Sequence, residues 1–255
     1  MMSIREEFEK REQNFMSPFG CLSSATRGRE KAEKSCPVRT AFQLDRNRIV
    51  YSNGFRRLKH KTQVFLSPLG DDYRTRLTHT LEVAQMSRNI ARAMFLNEDL
   101  AEAIGLGHDV GHSPFGHTGE DALSDYVDGE WLHSAQGVRI FEVLEPVNLT
   151  WEVLDGIRAH SWKIPEVPAT PEGWICRFAD RIAYLATDLT ARQQNLDDGE
   201  QIRVEVMDRD RLRAMIAAGY DEEQIFRYFE TRYGEFIRLL PRAEGFNLLV
   251  WVLPL

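Results

Sequence analysis

Apolar residues recur along most of this chain at the three- and four-residue spacing of an α-helix. Between residues 76 and 96 they form a stripe of Val83, Met86, Ile90 and Met94. This periodicity predicts one helix with a single apolar face. Extending the stripe backwards reaches His79, so we predict that this imidazole points into the protein interior.

The next helix is predicted to begin at Asn97, a residue type that caps helices well, and acidic residues follow it in the first turn. Leu100, Ile104 and His108 are then spaced four apart. Residues with this spacing share one helix face. We therefore predict that His108, like His79, faces the core.

A break in the helical pattern follows. Ser113, Pro114 and Gly116 are residue types that end helices and open loops. The pattern predicts a loop that carries His117 and Glu120.

A third helix is predicted from Trp174 to Asn195. Its expected buried stripe consists of Ile175, Phe178, Ile182, Leu185 and Leu189. Asp180, Tyr184 and Asp188 are spaced four apart, so they lie along one slowly drifting face, and Arg181 adds a cation beside them. Such a row is typical of a pocket wall, and the alternative is an exposed polar face with salt bridges.

Strand patterns are scarce, since only residues 64–67 and 203–207 have short runs of strand-forming residues. The sequence therefore predicts an all-α fold. We expect an N-terminal arm over residues 1–48, irregular from 33 to 48, and a helical core over residues 49–195. Residues 196–255, highly charged and then apolar, are predicted to form a helical C-terminal subdomain or a partner-facing extension.

Composition narrows the class of protein. Hydrophobic residues make up 43% of the 255 residues, which is ample for a buried core. The three cysteines are far apart and form no CxxC pair, so neither a disulfide framework nor a thiolate zinc site is predicted. Residues 1–16 are charged and polar, unlike a secretory leader, and no apolar stretch approaches membrane-spanning length. A cytoplasmic protein is expected.

The net charge of −7 disfavours nonspecific binding to duplex nucleic acid, and nothing in the pattern indicates a single-stranded nucleic acid partner. One segment is basic despite the negative net charge of the chain, because six Lys and Arg residues lie between positions 56 and 76 against two acidic residues. A compact basic patch suits a small anionic ligand. The alternative is a solvated charged surface.

Four side chains predict a metal site. His108 and Asp109 are adjacent in GHDVGHSPFGH, while His79 and Asp180 lie on the predicted helices before and after them. A single histidine on an apolar face is more often an ordinary core residue, but four candidates on neighbouring helices favour a metal. Nitrogen and oxygen ligands without thiolate suit one Mn²⁺, Mg²⁺, Fe²⁺, Ni²⁺ or Zn²⁺ ion.

Five ordered blocks cover roughly residues 10–192: CPVRTAFQLDRNRI, FRRLKHKTQVF, YRTRLTHTLEVAQ, GHDVGHSPFGHTGE and FADRIAYLATDL. At these spacings the chain resembles the deoxyguanosine triphosphate triphosphohydrolase-like branch of the HD-domain superfamily. The resemblance implies an all-α HD core that binds one divalent ion through His79, His108, Asp109 and Asp180. It also implies a homo-oligomer, and family members are usually longer, so we expect a short form or a fragment.

The reaction implied by the resemblance is hydrolysis of a deoxynucleoside triphosphate at the α-phosphorus, which releases deoxynucleoside and tripolyphosphate. His112, His117 and His133 would then act as acid, base or phosphate contacts, and Glu120 would orient His117. Histidine suits these roles because its ordinary pKa lies near neutrality.

The resemblance also implies substrate contacts. Arg76 would bind the α-phosphate and Arg181 another phosphate. Tyr184 would stack on the deoxyribose, Asp188 would bond its 3′ hydroxyl, and Gln63 would reach the sugar or base. The chain departs from the family pattern at Ser134, Thr190 and Ala191, which puts the base preference in doubt.

Two other functions stay open. One is another HD phosphohydrolase, a nucleotidase or a cyclic-nucleotide phosphodiesterase, with two metals bridged by Asp109 and bound also by His112, His133 and His160. The other is a non-catalytic sensor that binds a deoxynucleoside triphosphate and engages a partner through the acidic C-terminal segment.

Overall fold

The computed structural model describes residues 2–61, 75–114, 116–127 and 129–195, together with the isolated positions 215, 224, 227 and 228. For Thr118 and for residues 184–195 it describes the backbone alone. The chain divides into two compact units, one of Met1–Val64 with Arg74–Asp198 and one of Phe65–Tyr73 with Gly199–Leu255. The short strands predicted at 64–67 and 203–207, and the predicted C-terminal subdomain, lie outside the described residues.

The described part of the first unit is helical, which confirms the predicted fold class. The helices are α1 (Ile4–Phe15), α2 (Ala41–Tyr51), α3 (Asn53–Arg57), α4 (Arg76–Ala93), α5 (Glu98–Gly107), α6 (Gly116–Ser124), α7 (His133–Arg139), α8 (Trp151–Ala159) and α9 (Pro171–Asn195). An isolated β-type bridge joins Arg29 and Thr150.

The arm is more regular than predicted, because residues 41–48 are helical. Thr40 caps α2: its side chain accepts from the backbone N–H of Gln43, and the Gln43 side chain accepts from the N–H of Thr40. This capping box satisfies two of the helix's free donors and starts the helix directly after the irregular segment. The prediction of an irregular chain up to residue 48 was wrong for this helix.

The core is built around α4, α5 and α9, whose buried residues belong to one apolar cluster. Gly105 of α5 sits against α4 so closely that an added Cβ would lie 2.8 Å from the Cα of Ala84. The missing side chain therefore lets the two helices approach each other. The predicted N-cap of α5 is confirmed, since the Asn97 side chain accepts from the N–H of Leu100 at 3.1 Å.

The predicted apolar stripes were partly wrong. On α4 Met94 is exposed, and on α9 Phe178 and Ile182 are exposed. Between residues 171 and 183, where the side chains of α9 are described, the buried apolar positions are Ile175, Cys176, Ala179 and Ala183. Small residues face the core here because α9 packs closely on α4, while the larger aromatic ring of Phe178 contacts Trp162 and Trp174.

Three buried carboxylates, Asp45, Glu152 and Glu172, attach the N-terminal segment to the core, and we call them the arm carboxylates. Glu172 Oε1 accepts from the backbone N–H groups of Cys21 at 2.9 Å and Asn97 at 3.0 Å. Glu152 accepts from the Thr26 hydroxyl and from the N–H of residue 27, each at 2.6 Å.

Asp45, the third arm carboxylate, joins the segment to the start of α8. It accepts from the N–H of Thr150 at 2.8 Å and from its hydroxyl at 2.6 Å, and it pairs with Arg29. These contacts leave the arm fixed to the helical core by side chains that lie in the core.

None of the helices described between residues 2 and 195 is both long and apolar enough to cross a membrane.

Candidate metal and acid–base site

Three helices bring the four predicted ligands together. His79 lies in the second turn of α4, His108 caps the C-terminus of α5 with Asp109 directly after it, and Asp180 lies in the middle of α9. Both imidazoles are buried, as predicted from the periodicity. The close approach of α4 and α5 at Gly105 is what allows the two rings to lie edge to face, with centroids 5.5 Å apart.

The side-chain atoms of this group converge on one point. Asp180 Oδ1 lies 3.0 Å from His79 Nε2 and 3.7 Å from His108 Nε2. Asp109 Oδ1 lies 3.4 Å from His108 Nε2, and its Oδ2 lies 3.9 Å from His79 Nε2. The ligand atoms of His79, His108 and Asp180 all lie within 4.8 Å of one another, a spacing that a single cation can bridge.

His108 shows that the group fits a divalent ion. Its Nδ1 lies 2.7 Å from the carbonyl oxygen of Gly105, which can only accept, so Nδ1 carries the proton. Nε2 of a neutral ring is then a bare lone pair, and this buried atom has no hydrogen-bond partner among the described residues. A backbone bond that fixes the tautomer in this way is the usual support of a metal-binding histidine.

The electrostatics of Asp109 and Asp180 also support a metal site. Arg76 NH1 donates to Asp109 Oδ2 at 2.8 Å. Burial alone would raise the pKa of Asp109, but His108, Arg76 and His112 hold it well below its usual range. His79 and His108 likewise lower the pKa of Asp180 against the effect of burial. Both carboxylates are therefore ionised, as metal ligands must be.

A second group, which we call the Glu120 cluster, surrounds one buried carboxylate with three imidazoles. Glu120 Oε1 lies 2.6 Å from His133 Nδ1 and 3.1 Å from His112 Nδ1, and Oε2 lies 3.0 Å from His117 Nδ1. Burial would raise the pKa of Glu120, but its hydrogen bonds with the three histidines lower it far below its usual range.

The sequence placed His117 and Glu120 in a loop, and this was wrong. Both lie in the first turns of α6, which begins directly at Gly116. Gly116 has a positive φ of 56° and so makes the turn from Pro114 into the helix. The glycine that signals a loop thus also starts the helix, and the i, i+3 spacing places His117 and Glu120 on one face.

His112 connects the two groups. Its Nε2 lies 3.1 Å from Asp109 Oδ1 on the metal side and its Nδ1 faces Glu120 on the other. Its ring is stacked on that of His133, with centroids 3.8 Å apart. Burial, Arg76 and His133 lower the pKa of His112 to about 3, so near neutral pH this ring is neutral and can donate to only one of the two carboxylates.

Exposure separates the members of the Glu120 cluster. The side chain of His117 is 58% exposed, whereas that of Glu120 is 1% exposed. Because His117 Nδ1 is turned to the carboxylate, its Nε2 is the nitrogen that remains for contacts outside the cluster. Among the described members of this cluster, His117 is the side chain best placed to reach a bound ligand.

Three further side chains border the site; sequence reasoning missed Lys163 and named Lys61 only as a member of the basic patch. Lys163 Nζ lies 3.4 Å from Glu120 Oε2, and buried Lys61 donates to the carbonyl oxygen of Val110 at 3.0 Å. His160, considered only for a two-metal site, has its Nε2 3.0 Å from His133 Nε2. Tertiary packing brings Lys163 to Glu120 across 43 residues and His160 to His133 across 27, so no local pattern could have identified these two contacts.

The predicted substrate contacts are only partly described. Arg76 is buried and forms an ion pair with Asp109, and its predicted role as a phosphate ligand stays a prediction. The guanidinium of Arg181 lies 5.5 Å from the ring centroid of Trp162. Gln63 and the side chains of Tyr184 and Asp188 lie outside the described residues.

Comparison with known proteins finds two matching protein families and several relatives that carry the same name. The HD domain family matches residues 76–185, and a family described as Cytochrome C biogenesis protein matches residues 188–255. A deoxyguanosinetriphosphate triphosphohydrolase-like protein of Desulfatibacillum aliphaticivorans is 58% identical over 200 residues, which is 74% of this chain and 57% of the relative.

Proteins of the same name from other bacteria are also similar. That of Caldanaerobacter subterraneus subsp. tengcongensis is 54% identical over 74% of this chain and 56% of the relative. That of Clostridium perfringens is 48% identical over 74% of this chain and 57% of the relative. The chain thus spans somewhat more than half the length of the curated relatives it matches.

Proposed function

Since the chain belongs to the HD-domain family, in its deoxyguanosinetriphosphate triphosphohydrolase-like branch, we propose that it hydrolyses deoxynucleoside triphosphates at the α-phosphorus. The products would be deoxynucleoside and tripolyphosphate. The observation that carries the proposal is the junction of two groups at Asp109 and His112, a metal-ligand group on one side and an acid–base cluster on the other.

Each group has a separate task in the proposed reaction. His79, His108, Asp109 and Asp180 would hold a divalent ion, which would supply Lewis acidity at phosphorus and lower the pKa of water. Arg76, which already holds Asp109 Oδ2, is placed to bind a phosphate oxygen and to balance its charge.

The departing 5′ oxygen needs a proton, and His117 is the proposed donor. Its Nδ1 is bonded to Glu120 Oε2, so Nε2 is free to give its proton to the substrate. Glu120 would stabilise the protonated ring before transfer, as a buried carboxylate does for a catalytic histidine. His112 and His133 hold Glu120 from the opposite side and so fix the oxygen that faces His117.

The test is product analysis by chromatography with the full chain, Mn²⁺ or Mg²⁺, and each deoxynucleoside triphosphate in turn. Asp109→Ala should abolish product, while the matched control Asp125→Ala, at an exposed position after α6, should behave as wild type. Tripolyphosphate with deoxynucleoside would support the proposal. Pyrophosphate or orthophosphate would exclude it in favour of another phosphohydrolase activity.

A second candidate function has one specific observation behind it. Asp109, His133 and His160 offer ligand atoms within 4.8 Å of one another, which favours the two-metal phosphohydrolase. Two metal equivalents per chain, together with turnover of a nucleoside monophosphate or cyclic nucleotide, would decide for that function. Binding of deoxynucleoside triphosphate without turnover would instead favour the sensor.

The remaining expectations stay predictions: a homo-oligomer, a cytoplasmic location, and substrate contacts by Gln63, Arg181, Tyr184 and Asp188. The same holds for the identity and number of the metal ions.

A further inference from the structure

The basic segment between residues 56 and 76 divides into two groups in the structure. Three of its described members are exposed, namely Arg56, Arg57 and Lys59. Lys61 and Arg76 are buried instead, with 8% and 4% of their surface exposed. Arg76 pairs with Asp109. Because burial of an ammonium group is costly unless the group has close acceptors, the inward position of Lys61 calls for a specific contact.

The side chain of Lys61 reaches the turn that carries the adjacent pair His108 and Asp109. Its Nζ donates to the carbonyl oxygen of Val110 at 3.0 Å. Val110 directly follows Asp109, in the turn after α5, and is fully buried. A buried carbonyl oxygen needs a hydrogen-bond donor, and a cation beyond the end of a helix also opposes the negative end of the helix dipole. Lys61 supplies both from a position 49 residues away along the chain.

The main chain of Lys61 makes a second contact with the site. Its carbonyl oxygen accepts from the backbone N–H of Arg76 at 2.9 Å. Arg76 is the first residue of α4, where backbone N–H groups have no acceptor within the helix. One residue therefore joins two of the helices that form the site: its carbonyl contacts the start of α4, and its ammonium group contacts the turn after α5.

These contacts close a ring that passes through Asp109. The Lys61 carbonyl accepts from the N–H of Arg76, and NH1 of Arg76 donates to Asp109 Oδ2 at 2.8 Å. Asp109 is followed by Val110, whose carbonyl oxygen accepts from Lys61 Nζ. The ring thus holds Asp109 in two places, at its carboxylate through the guanidinium and at the next peptide group through the ammonium. Both holds involve Lys61.

We propose that Lys61 is a positioning residue: by holding the Val110 carbonyl, it fixes the direction in which Asp109 presents its carboxylate to the metal ion and to Arg76. Its effect on turnover rests on the proposed function, whereas its effect on metal binding does not. Methionine fills a volume similar to that of lysine but cannot donate a hydrogen bond. Lys61→Met therefore removes the contact with little change in packing.

The sign of the change in metal affinity separates this role from two simpler ones. If Lys61 acted only through its charge, removing a cation near the site would strengthen the binding of a divalent ion. If Lys61 only stabilised the fold, Lys61→Met would lower the melting temperature and leave the affinity of the folded protein unchanged. A positioning residue gives a third result, which is weaker metal binding by a folded protein.

The experiment is isothermal titration of the full chain with Mn²⁺. We expect Lys61→Met to raise the Kd for Mn²⁺ about 10-fold or more, the usual cost of losing a contact that orients a metal ligand. The matched control is Lys59→Met, at an exposed position in the short turn just before Lys61, and it should bind as wild type does. Unchanged or tighter binding by Lys61→Met would overturn the proposal.

Thermal unfolding of the metal-free variants checks that the protein remains folded. The melting temperature of Lys61→Met should lie within about 4 °C of wild type, the shift that roughly 1 kcal/mol produces in a protein of this size. A variant that is unfolded at the assay temperature would assign Lys61 a structural role instead. Lys61→Arg, which keeps a long cationic donor, is the second variant. It should bind Mn²⁺ more tightly than Lys61→Met, and equally weak binding by the two would also overturn the proposal.

Activity then connects the contact to the reaction. At saturating Mn²⁺, Lys61→Met should still lower kcat/KM for deoxynucleoside triphosphate hydrolysis about 10-fold, because Asp109 and Arg76 are no longer held in place. If wild type releases no tripolyphosphate, the proposed function fails while the Mn²⁺ affinities still decide the role of Lys61. A wild-type chain that binds no Mn²⁺ would overturn this proposal together with the metal site.

Discussion

Two sets of buried carboxylates in this protein have opposite surroundings. The arm carboxylates, Asp45, Glu152 and Glu172, are bonded mainly by backbone N–H groups and hydroxyls. The site carboxylates, Asp109, Glu120 and Asp180, are surrounded by imidazoles, one guanidinium and the ammonium group of Lys163. Neutral donors join segments of chain, whereas titratable donors can exchange protons or be replaced by a cation.

The pKa values follow this difference. Burial is the largest influence on the pKa of Glu172 and of Asp45 and raises both, because it is only partly offset by backbone donors at Glu172 and by the Arg29 charge and the Thr150 donors at Asp45. In the site the same burial is outweighed, and the pKa values of Asp109, Glu120 and Asp180 are lowered. Burial alone therefore does not identify a functional carboxylate.

Asp109→Asn should give the largest effect, since it removes one ligand charge from the site and leaves Arg76 without its ion pair. We expect kcat/KM for deoxynucleoside triphosphate hydrolysis to fall about 1000-fold or more. Steady-state kinetics with Mn²⁺ would measure the change, with Asp125→Asn as the exposed control. Retention of a tenth of the activity would place the reaction elsewhere.

Glu172→Ala tests the structural role of the arm carboxylates. It removes the acceptor of two backbone N–H groups, and each unsatisfied buried donor costs ~1–3 kcal/mol. We expect the free energy of unfolding in urea to fall by about 2–4 kcal/mol. The folded fraction should keep wild-type kcat.

Glu30→Ala, at an exposed position of the same arm, is the matched control for stability. A Glu172 variant with normal stability but lower kcat would contradict the separation of the two sets.

Removal of metal should lower the free energy of unfolding only through the site carboxylates, which would hold the ion. A ligand at about 100 times its Kd stabilises the folded state by ~2.7 kcal/mol, so wild type should lose about that much on adding EDTA. Asp180→Asn should lose little, because its metal affinity is already reduced. Glu172→Ala should lose as much as wild type, and thermal unfolding with and without chelator would show it.

The pH dependence of stability should differ in sign between the sets. The pKa of Glu172 is raised from 4.5, so the folded state holds its proton more tightly and stability falls as the pH rises above about 4.5. Glu172→Gln, whose oxygen can keep both N–H bonds, should remove this loss. The pKa of Asp180 is lowered from 3.8, so its contribution is present above that pH and is lost as the pH falls below it.

Urea unfolding of metal-free protein at several pH values between about 2 and 7 covers both windows, and each slope is expected to be about 1 kcal/mol per pH unit. If Glu172→Gln and Asp180→Asn change the wild-type dependence of unfolding free energy on pH in the same direction, the contrast between the two sets of carboxylates is refuted.

The sequence predicted the inward direction of His79 and His108 because each belongs to a long helix with a regular apolar period. It failed at Phe178 and Ile182 because hydrophobicity favours large residues, whereas the close packing of α9 on α4 selects Ala179 and Ala183. It also failed at α6, where Pro114 and Gly116 indicate a loop but the helix resumes at once.

The contacts of Glu120 with His133 and Lys163, and of His133 with His160, depend on packing among α6, α7 and the end of α8. Helical periodicity describes one segment at a time, so it can place a side chain on a face but cannot pair faces from distant segments. The arm carboxylates were missed for the same reason.

Gly105 has a consequence for the substitutions that this chain can accept. The nearest atom to an added Cβ is the main-chain Cα of Ala84, which no rotamer change can move. Any replacement would therefore separate the two helices that carry His79 and His108. A residue with no functional group of its own is thus expected to tolerate mutation as poorly as the ligands do, and variant libraries screened for activity should recover glycine there.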